Sequence, residues 1–276
     1  MTQTESVASA VKPDRFISLE DVSLVYGERE QTLALDKVDM SIDRGSFVAI
    51  VGPSGCGKST LLKLVSGLVP PTGGNVSIDG KRVVRPVQNV GMAFQNPLLM
   101  PWRTTLKNIV LPLEIVARNP VRYRREEAQH VAKARQLLAS VGLNGCEDKF
   151  PWQLSGGMQQ RASLCRSIIH NPEILLLDEP FGALDSFTRE ELWQAMQDLW
   201  LRERFTAVLV THDLREAVFL ADVIYIMGGR PGNVIKRHEI DFERPRPIEL
   251  LSNTRFMEIV QELRGFIAKA RKPTSS

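Results

Sequence analysis

Residues 47–60 have the sequence Phe47-Val-Ala-Ile-Val-Gly52-Pro53-Ser54-Gly55-Cys56-Gly57-Lys58-Ser59-Thr60, in which an apolar run leads into a glycine-rich turn. The run has the length of a buried strand, and the residues after the turn begin a helical pattern. A Gly-x-x-x-x-Gly-Lys-Ser/Thr turn between a strand and a helix directs backbone N–H groups at phosphate oxygens. We therefore expect 52–60 to bind a nucleotide (the phosphate loop), with Lys58 bridging the β- and γ-phosphates and Ser59 ligating Mg²⁺. A glycine-rich turn with a solvated lysine is the alternative.

Short apolar runs alternate with helical patterns on both sides of the phosphate loop. The runs predict strands at 46–51, 76–78, 90–94, 174–177, 207–210 and 223–227, and the helical patterns lie at 59–67, 125–141, 158–170, 189–204 and 214–221. An imperfect alternation at 16–26 predicts one more strand, half-buried and irregular near Glu20. Strands that alternate with helices of this length predict an α/β fold with a mostly parallel sheet.

Composition excludes several classes of protein. The 276 residues are 43% hydrophobic and 24% charged, which is typical of a globular chain. The net charge of +3 is too small for a dedicated nucleic-acid binder, and no apolar run approaches the roughly 18 residues of a membrane span. Three cysteines without paired spacing indicate neither a disulfide framework nor a zinc site, and no charged-then-apolar leader is visible. We expect a chain that is not exported and works in a reducing cytoplasm.

The pattern changes in the middle and at the end of the chain. We expect a mobile tail at 1–15, a main domain at 16–240 and a C-terminal extension at 241–276. Within the main domain, 96–153 lacks a strand pattern and is mostly helical and charged, which predicts a helical subdomain inserted into the α/β core. A final helix at 256–270 either packs on the core or carries regulation.

An acidic pair follows the apolar run at 174–177. Ligands bind at the carboxyl ends of strands in open α/β sheets. We therefore expect Asp178 to hold Mg²⁺, and Glu179 to orient and deprotonate a water that attacks the γ-phosphate. A strand capped by a solvated acidic pair is the alternative, and the presence of a phosphate loop in the same chain favours the functional interpretation.

A second helix start is rich in backbone donors. Ser155, Gly156 and Gly157 precede a helical pattern that runs to His170, and free N–H groups at a helix N-terminus attract anions. An ordinary helix cap would need only Ser155, so the two glycines favour a second anion site. The chain would then have two phosphate-binding helix ends but one lysine-bearing loop.

Together these motifs resemble the ATP-binding subunit of ABC transporters, over about residues 17–228. The resemblance implies a P-loop NTPase core with a mostly parallel sheet, an N-terminal antiparallel β region and an inserted helical subdomain. It also implies an ATPase that uses ATP and Mg²⁺ in a head-to-tail dimer with a second copy of itself. Ser155, Gly156 and Gly157 would belong to the signature loop, which contacts the γ-phosphate of ATP held by the other copy.

The same resemblance gives roles to single residues. Tyr26 is similar to the aromatic residue that stacks on adenine, although a half-buried tyrosine at a strand end is the alternative. Gln95 is similar to the glutamine that touches Mg²⁺ and the attacking water, and His212 to the switch histidine that hydrogen-bonds the γ-phosphate. Ala183-Leu184-Asp185 resembles the loop that communicates across the dimer. Without the other motifs, the alternatives are a loop amide for Gln95, a surface histidine for His212, and a turn or helix cap for Ala183-Leu184-Asp185.

Cys56 lies inside the phosphate loop, at the start of a helical pattern. Because a helix N-terminus can lower the pKa of a thiol, we expect selective alkylation of Cys56 that blocks ATP binding. Bound ATP should then protect the thiol. We expect no catalytic role for it.

The stretch after Gln95 indicates partners. Asn96-Pro-Leu-Leu-Met-Pro-Trp102-Arg-Thr is apolar and aromatic, which favours a docking surface for another protein over burial in the helical subdomain. The resemblance implies that transmembrane permease subunits dock here. With Gly229-Arg230-Pro231-Gly232, the stretch is similar to the nitrate, sulfonate, taurine and bicarbonate import branch.

That branch implies import of a small solute, an anion such as a sulfonate, taurine or nitrate. It implies a peripheral location at the cytoplasmic face of the inner membrane, a periplasmic or lipid-anchored solute-binding protein as an indirect partner, and no nucleic acid. Two alternatives stay open: the ATPase of an exporter, and an ABC-type ATPase acting on nucleic acid or ribosomes. The latter class usually carries tandem cassettes, zinc modules or coiled-coil insertions, none of which is visible in the sequence.

Overall fold

The computed structural model describes residues 15–27, 30–116, 120–182 and 184–270. Within these residues the strands are, in chain order, β1 (Arg15–Tyr26), β2 (Thr32–Asp43), β3 (Phe47–Val51), β4 (Gly73–Ile78), β5 (Lys81–Arg82), β6 (Val90–Phe94), β7 (Ile174–Asp178), β8 (Thr206–Thr211), β9 (Val223–Met227) and β10 (Val234–Glu239). The α-helices are α1 (Lys58–Val65), α2 (Thr105–Val116), α3 (Pro120–Ser140), α4 (Gly156–Ile168), α5 (Ser186–Glu203), α6 (Leu214–Leu220) and α7 (Thr254–Ala270). The tail expected at 1–15 lies outside the described residues except for Arg15.

Two sheets form the framework. The smaller sheet is antiparallel, with strand order β2–β1–β4–β5. The larger has the order β10–β9–β3–β8–β7–β6, and its strands from β9 to β6 run parallel while β10 is antiparallel to β9. The α/β fold with a mostly parallel sheet and an N-terminal antiparallel region is therefore confirmed. The carboxyl ends of β3, β6, β7 and β8 lie at one edge, where ligands of such sheets bind.

The central strand β3 is buried along its whole length because it faces two cores. Val48 and Ile50 belong to the core between the two sheets, which also contains α1, whereas Phe47, Ala49 and Val51 face the core under the outer helices. Successive side chains of a strand point to opposite faces, so a strand buried on both sides needs apolar residues at every position. The phosphate loop therefore starts from a rigid support.

Helices fill the interval between β6 and β7. α2, α3 and α4 pack on one another, and their buried side chains Ile109, Leu138 and Leu164 belong to the core on the helical side. The described residues of 96–153 contain no strand, as the sequence pattern predicts. The domain boundaries at 96–153, 16–240 and 241–276 stay predictions.

The final helix, α7, packs on α6 and β9. Its side chains Phe256, Val260 and Leu263 are buried in the same core. Of the two alternatives for this segment, packing on the core is therefore observed. Among the described residues, no helix combines the length and the apolar character that crossing a bilayer requires.

Two elements escape the sequence patterns. β2 is absent from the predicted strands because Lys37, with φ 47°, interrupts its apolar–polar alternation. α2 is absent from the predicted helices because it contains Pro112, which normally ends a helix. α3 starts at Pro120 rather than at 125, in keeping with the preference of proline for the first turn of a helix.

Candidate functional site

The phosphate loop leaves β3 and enters α1 in a conformation that needs glycine. Gly57 has φ +95°, and a Cβ atom there would lie 2.6 Å from Cδ2 of Leu35 on β2. A side chain at this position would be strained by its backbone and would clash with β2. The loop is thus pressed against the antiparallel sheet at the point where α1 begins.

Lys58 holds its ammonium group inside the phosphate loop. Its Nζ donates to the carbonyl oxygens of Gly52 at 3.0 Å and Pro53 at 2.9 Å, and the residue is only 6% exposed. Two neutral carbonyls satisfy the group without cancelling its charge. The positive charge is therefore available to phosphate oxygens that enter the loop.

Ser59 and Asp178 meet at the carboxyl ends of β3 and β7. Ser59 Oγ donates to Asp178 Oδ1 at 2.9 Å. Burial raises the pKa of the Asp178 carboxyl, and the hydrogen bond from Ser59 partly opposes the rise. A hydroxyl and a carboxylate are hard oxygen donors of the kind that Mg²⁺ prefers, and a dication beside Asp178 would offset the desolvation of its charge. The pair fits a Mg²⁺ ion.

Glu179 is bonded to His212. Glu179 Oε2 lies 3.1 Å from His212 Nδ1, and the side chains are 28% and 61% exposed respectively. The backbone of Glu179 has φ 49°, and its N–H donates to the carbonyl of Val210 on β8 at 2.9 Å. This turn directs the Glu179 carboxylate toward the phosphate loop while Asp178, one residue earlier, bonds to Ser59.

Gln95 joins the same group from β6. A Cβ atom built on Gly182 would lie 3.6 Å from Gln95 Nε2 and 3.7 Å from His212 Cε1. The residues after β6, β7 and β8 therefore converge, as the shared edge of the parallel strands requires. The cavity at the phosphate loop has a volume of about 260 Å³ and is lined by Ala34, Ser54, Gly55, Gly57, Lys58, Ser59, Thr60 and Glu179.

Tyr26 lies at the end of β1, opposite Thr32 on β2. The side chain is 38% exposed, so its ring is accessible to a ligand. Two residues beyond Thr32, Ala34 lines the cavity at the phosphate loop. Tyr26 itself does not line that cavity, and stacking on adenine stays a prediction.

Ser155, Gly156 and Gly157 lie away from the phosphate loop of the same chain. Ser155 caps α4 by accepting a hydrogen bond from the Met158 N–H at 3.3 Å, so the ordinary cap is present. Nothing lies within 4 Å of a Cβ atom built on Gly156, and Ser155 and Gly156 are exposed. These residues do not line the cavity at Lys58, and Ser155 and Gly156 are accessible from the surface.

Cys56 contradicts the expectation of a reactive thiol. It is 1% exposed, and burial raises the pKa of its thiol, although the nearby charge of Lys58 opposes the rise. The helix start alone suggested a lowered pKa, because a sequence motif does not show that β2 and the chain after β9 cover the loop. Selective alkylation of Cys56 is therefore not expected in the folded protein.

The loop that resembles a dimer contact is partly described. Ala183 lies outside the described residues. Asp185 accepts a hydrogen bond from the Thr188 N–H at 3.0 Å and caps α5, which lowers the pKa of its carboxyl. Gly157 lies against the same turn, since a Cβ atom on it would be 2.7 Å from Thr188 Cγ2. The starts of α4 and α5 therefore form one surface.

Two arginines at the site were not given roles by the sequence patterns. Arg166 on α4 donates to the carbonyls of Pro97 at 2.7 Å and Leu98 at 2.8 Å, which ties the stretch after Gln95 to α4. Arg230 donates from Nε to the carbonyl of Gly55 at 2.9 Å. Local patterns could not reveal either contact, because Arg166 is 68 positions from Leu98 and Arg230 is 175 positions from Gly55.

The chain is similar to proteins of one family. The family model described as ABC transporter matches residues 35–182. The bicarbonate transport ATP-binding protein CmpD of Synechocystis is 42% identical over 237 residues, which cover 85% of this chain and 82% of that protein. The taurine import ATP-binding protein TauB of Escherichia coli is 39% identical over 223 residues, which cover 81% of this chain and 85% of that protein.

Solved structures are similar as well. The dimeric post-hydrolysis state of the ATP-binding cassette MJ0796, bound to ADP and Pi, matches with a TM-score of 0.71 at 32% identity, over 82% of this chain and all of that one. A second dimeric structure of this bacterial ABC transporter cassette matches with a TM-score of 0.72 at 33% identity over the same shares. The structural similarity thus extends over most of this chain.

Proposed function

The chain belongs to the ABC transporter family, and we propose that it is the ATP-binding and hydrolysing subunit of a system that imports a small solute. One observation carries the proposal. Lys58, Ser59 and Glu179 line a single cavity at the carboxyl edge of the parallel sheet, where Ser59 Oγ lies 2.9 Å from Asp178 Oδ1 and Glu179 Oε2 lies 3.1 Å from His212 Nδ1. This edge offers charge, oxygen ligands and a base in one place.

Different side chains of the site have different roles in hydrolysis. The N–H groups of the phosphate loop and the Lys58 ammonium bind the triphosphate, and phosphoryl transfer needs little more than positioning and neutralised charge. Glu179 accepts the proton of the attacking water, and His212 holds the Glu179 carboxylate and reaches the γ-phosphate. Ser59, Asp178 and Gln95 would hold Mg²⁺, which supplies further positive charge for the phosphate oxygens. Tyr26 would stack on the adenine ring.

A second copy of the chain completes the site. Ser155 and Gly156 are exposed and Gly157 is half-buried, on a surface apart from the cavity of their own chain. In a head-to-tail dimer they bind the γ-phosphate of the ATP molecule held by the other copy. The dimeric form of the similar cassettes supports this arrangement. Binding of two ATP molecules closes the dimer, and hydrolysis opens it again.

The membrane partner docks beside Gln95. Leu98 is 57% exposed and Trp102 is 72% exposed, and we name these two residues the docking patch. Large apolar side chains held at the surface are typical of a protein interface. Because the stretch starts next to Gln95, movement of a permease subunit there reaches the catalytic edge. The protein would then lie at the cytoplasmic face of the inner membrane, with a solute-binding protein as an indirect partner.

The names of the relatives support import of a small anionic or zwitterionic solute such as bicarbonate or taurine. An exporter ATPase or an ATPase of a nucleic-acid system is not favoured by any feature of the described residues. Solute-dependent ATPase activity in membranes that contain the cognate permease and candidate binding proteins would identify the solute.

The Glu179→Gln variant tests the proposed site. Loss of a general base costs about 10²- to 10⁴-fold in rate, so this variant should bind ATP normally, hydrolyse it very slowly and accumulate as a dimer with MgATP. Light scattering with and without MgATP measures the dimer, and Glu203→Gln, on the exposed end of α5, is the control. Near-normal hydrolysis by Glu179→Gln would show that Glu179 is not the general base. If the variant stays monomeric when saturated with MgATP, the proposal that two copies share the site is contradicted.

A further inference from the structure

The chain after β9 lies directly on the phosphate loop. Residues 228–233, the β9–β10 loop, are fixed to β2, because Gly232 N–H donates to the Ala34 carbonyl at 3.0 Å and Asp36 N–H donates to the Gly232 carbonyl at 2.9 Å. A Cβ atom on Gly232 would lie 1.9 Å from the carbonyl oxygen of Cys56. The β9–β10 loop is thus packed between β2 and the phosphate loop, with its position fixed on both sides.

Arg230 extends from this loop to the centre of the phosphate loop. Its Nε donates to the Gly55 carbonyl at 2.9 Å. The guanidinium lies close to the Gly55 backbone, since a Cβ atom on Gly55, where φ is +74°, would be 1.9 Å from Arg230 Nη2. A glycine at 55 therefore serves two needs, the left-handed backbone and the approach of Arg230.

The hydrogen bond from Arg230 fixes the orientation of the Gly55–Cys56 peptide. In a trans peptide the C=O and the next N–H point in opposite directions. The Gly55 carbonyl accepts from Arg230, and the Cys56 N–H donates to the Pro53 carbonyl oxygen at 3.4 Å, the same oxygen that accepts from Lys58. Arg230 thereby fixes a peptide of the turn that also positions the Lys58 ammonium.

The charge of Arg230 also reaches the loop interior. Its positive charge, like that of Lys58, opposes the rise that burial gives to the pKa of the Cys56 thiol. The side chain is exposed, and the ion pairs found among the described residues do not include it. An unneutralised guanidinium beside the loop therefore adds positive potential where phosphate oxygens bind.

We propose that Arg230 is a positioning residue for ATP binding, which holds the Gly55–Cys56 peptide in the orientation that accepts the triphosphate. The inference rests on the proposed role of the phosphate loop in binding ATP. The hydrogen bond from Arg230 goes to Gly55 in the phosphate loop, whereas Glu179 and His212 bond to each other. Loss of Arg230 should therefore affect the binding of ATP more than the chemical step.

The test compares Arg230→Met, Arg230→Lys and the control Arg82→Met, which removes an exposed arginine from β5. A lost hydrogen bond of this kind corresponds to about 3- to 10-fold in affinity. Arg230→Met should raise the Kd for a fluorescent ATP analogue and the KM for ATP by that factor, with kcat within about twofold of wild type. Arg230→Lys keeps a donor and the charge and should lie closer to wild type. Arg82→Met should leave both constants unchanged.

Thermal unfolding of all variants separates positioning from folding. The inference predicts an unchanged Tm for Arg230→Met. A lower Tm with a lower kcat and an unchanged Kd would assign Arg230 to the fold and overturn the inference, as would equal losses in the methionine and lysine variants. If wild type binds ATP, Lys58→Ala does not, and Arg230→Met has the same Kd as wild type, the inference about Arg230 fails while the proposed function stands. If wild type fails to bind ATP, the proposed function itself fails.

Discussion

Asp178 and Glu179 are neighbours in the chain, but their surroundings give them different chemistry. Asp178 is the last residue of β7 and bonds to Ser59, and burial raises the pKa of its carboxyl. Glu179 turns to His212 through a left-handed backbone conformation. Adjacent residues at a strand end point to opposite sides. In the proposed site, one acidic pair would therefore supply both a metal ligand and a base.

The buried ammonium group of Lys58 leads to a first prediction. Lys58→Ala removes a charge that faces the phosphate position, and a charge-assisted hydrogen bond corresponds to about 10- to 100-fold in affinity. We expect the Kd for MgATP to rise by that factor, as measured by equilibrium binding of a fluorescent analogue. Lys63→Ala, on the exposed face of α1, is the matched control. Equal affinities of the two variants for MgATP would show that Lys58 does not bind the phosphates.

Glu216 on α6 leads to a prediction about pH. Burial raises the pKa of the Glu216 carboxyl well above its usual value of 4.5, and the Asp213 carboxylate raises it further, while Thr211 and Arg189 oppose the rise. Its Oε1 has no hydrogen-bond partner within the part of the chain that the structure describes. A carboxyl group with a raised pKa in the folded state contributes stability fully below its unfolded pKa. That contribution is lost as the pH rises toward the folded pKa.

The stability of Glu216→Gln relative to wild type should therefore increase as the pH rises. We expect the free energy of unfolding of wild type, relative to Glu216→Gln, to fall as the pH rises above the unfolded pKa of about 4.3, by up to ~1.4 kcal/mol per pH unit. Urea denaturation at several pH values measures the difference. Glu258→Gln, on the exposed face of α7, is the matched control. A flat difference for Glu216→Gln would show that the buried carboxyl does not titrate in this range.

Residues with a motif could be predicted, and residues defined by a distant contact could not. Lys58 and Ser59 are recognisable because their spacing from Gly52 and Gly57 is local. The pKa of Cys56 was predicted in the wrong direction, because β2 and the β9–β10 loop bury the thiol and neither is near it in sequence. Arg230 was noticed only as part of a branch pattern for the same reason.

At the scale of elements, α7 is a part of the core rather than an appendage. Leu263 is 0% exposed and Val260 is 4% exposed, and the helix packs on α6, which follows His212 and Asp213. A cleft of about 640 Å³ lies between α7 and the catalytic edge, with Gly52 and Ser54 on one side and Arg264 on the other. The last helix therefore supports α6, the element that directly follows His212 and Asp213.

Leu263→Ala tests this support. Truncation of a fully buried leucine costs roughly 2–5 kcal/mol, depending on how far the cavity relaxes. We expect a loss of unfolding free energy in that range by urea denaturation. Met257→Ala, on the same helix at 40% exposure, should change it by less than about 0.5 kcal/mol. Similar small losses in both variants would mean that α7 is only loosely attached.

Element prediction succeeded where the apolar period was regular. β3 and β7 are buried on both faces and are visible as uninterrupted apolar runs. β2 failed because a left-handed residue shifts its alternation, and α2 failed because Pro112 resembles a helix end. Such irregularities depend on tertiary contacts, which a local window cannot contain. The sheet order is also invisible in the sequence, since β3 lies between β8 and β9.

At the scale of the whole molecule, the docking patch and the catalytic edge are connected. Arg166 ties the carbonyls of Pro97 and Leu98 to α4, and α4 begins at the signature glycines. Gln160 on the same helix donates to the Phe94 carbonyl at 3.0 Å. A displacement of the docking patch therefore reaches both Gln95 and the surface proposed to meet the second copy, through contacts within one rigid helix.

Trp102→Ala should separate transport from hydrolysis. The side chain is 72% exposed, so its loss should leave the ATPase activity of the isolated protein unchanged. Exposed aromatic anchors of interfaces typically contribute more than about 1 kcal/mol to binding, so capture of the cognate permease should fall about tenfold. Val84→Ala, exposed but outside the docking patch, is the control. Normal permease binding by Trp102→Ala would place the interface elsewhere.

The proposed sharing of the site between two copies has a consequence for how the protein responds to dilution. A catalytic cage whose halves belong to separate molecules obeys mass action, so in dilute solution the turnover per molecule should rise in proportion to protein concentration. Two copies held on one permease escape this dependence, because tethering fixes their mutual concentration. The proposed membrane partner would then control activity by itself, because a free copy hydrolyses ATP slowly and two copies held on one permease hydrolyse it quickly.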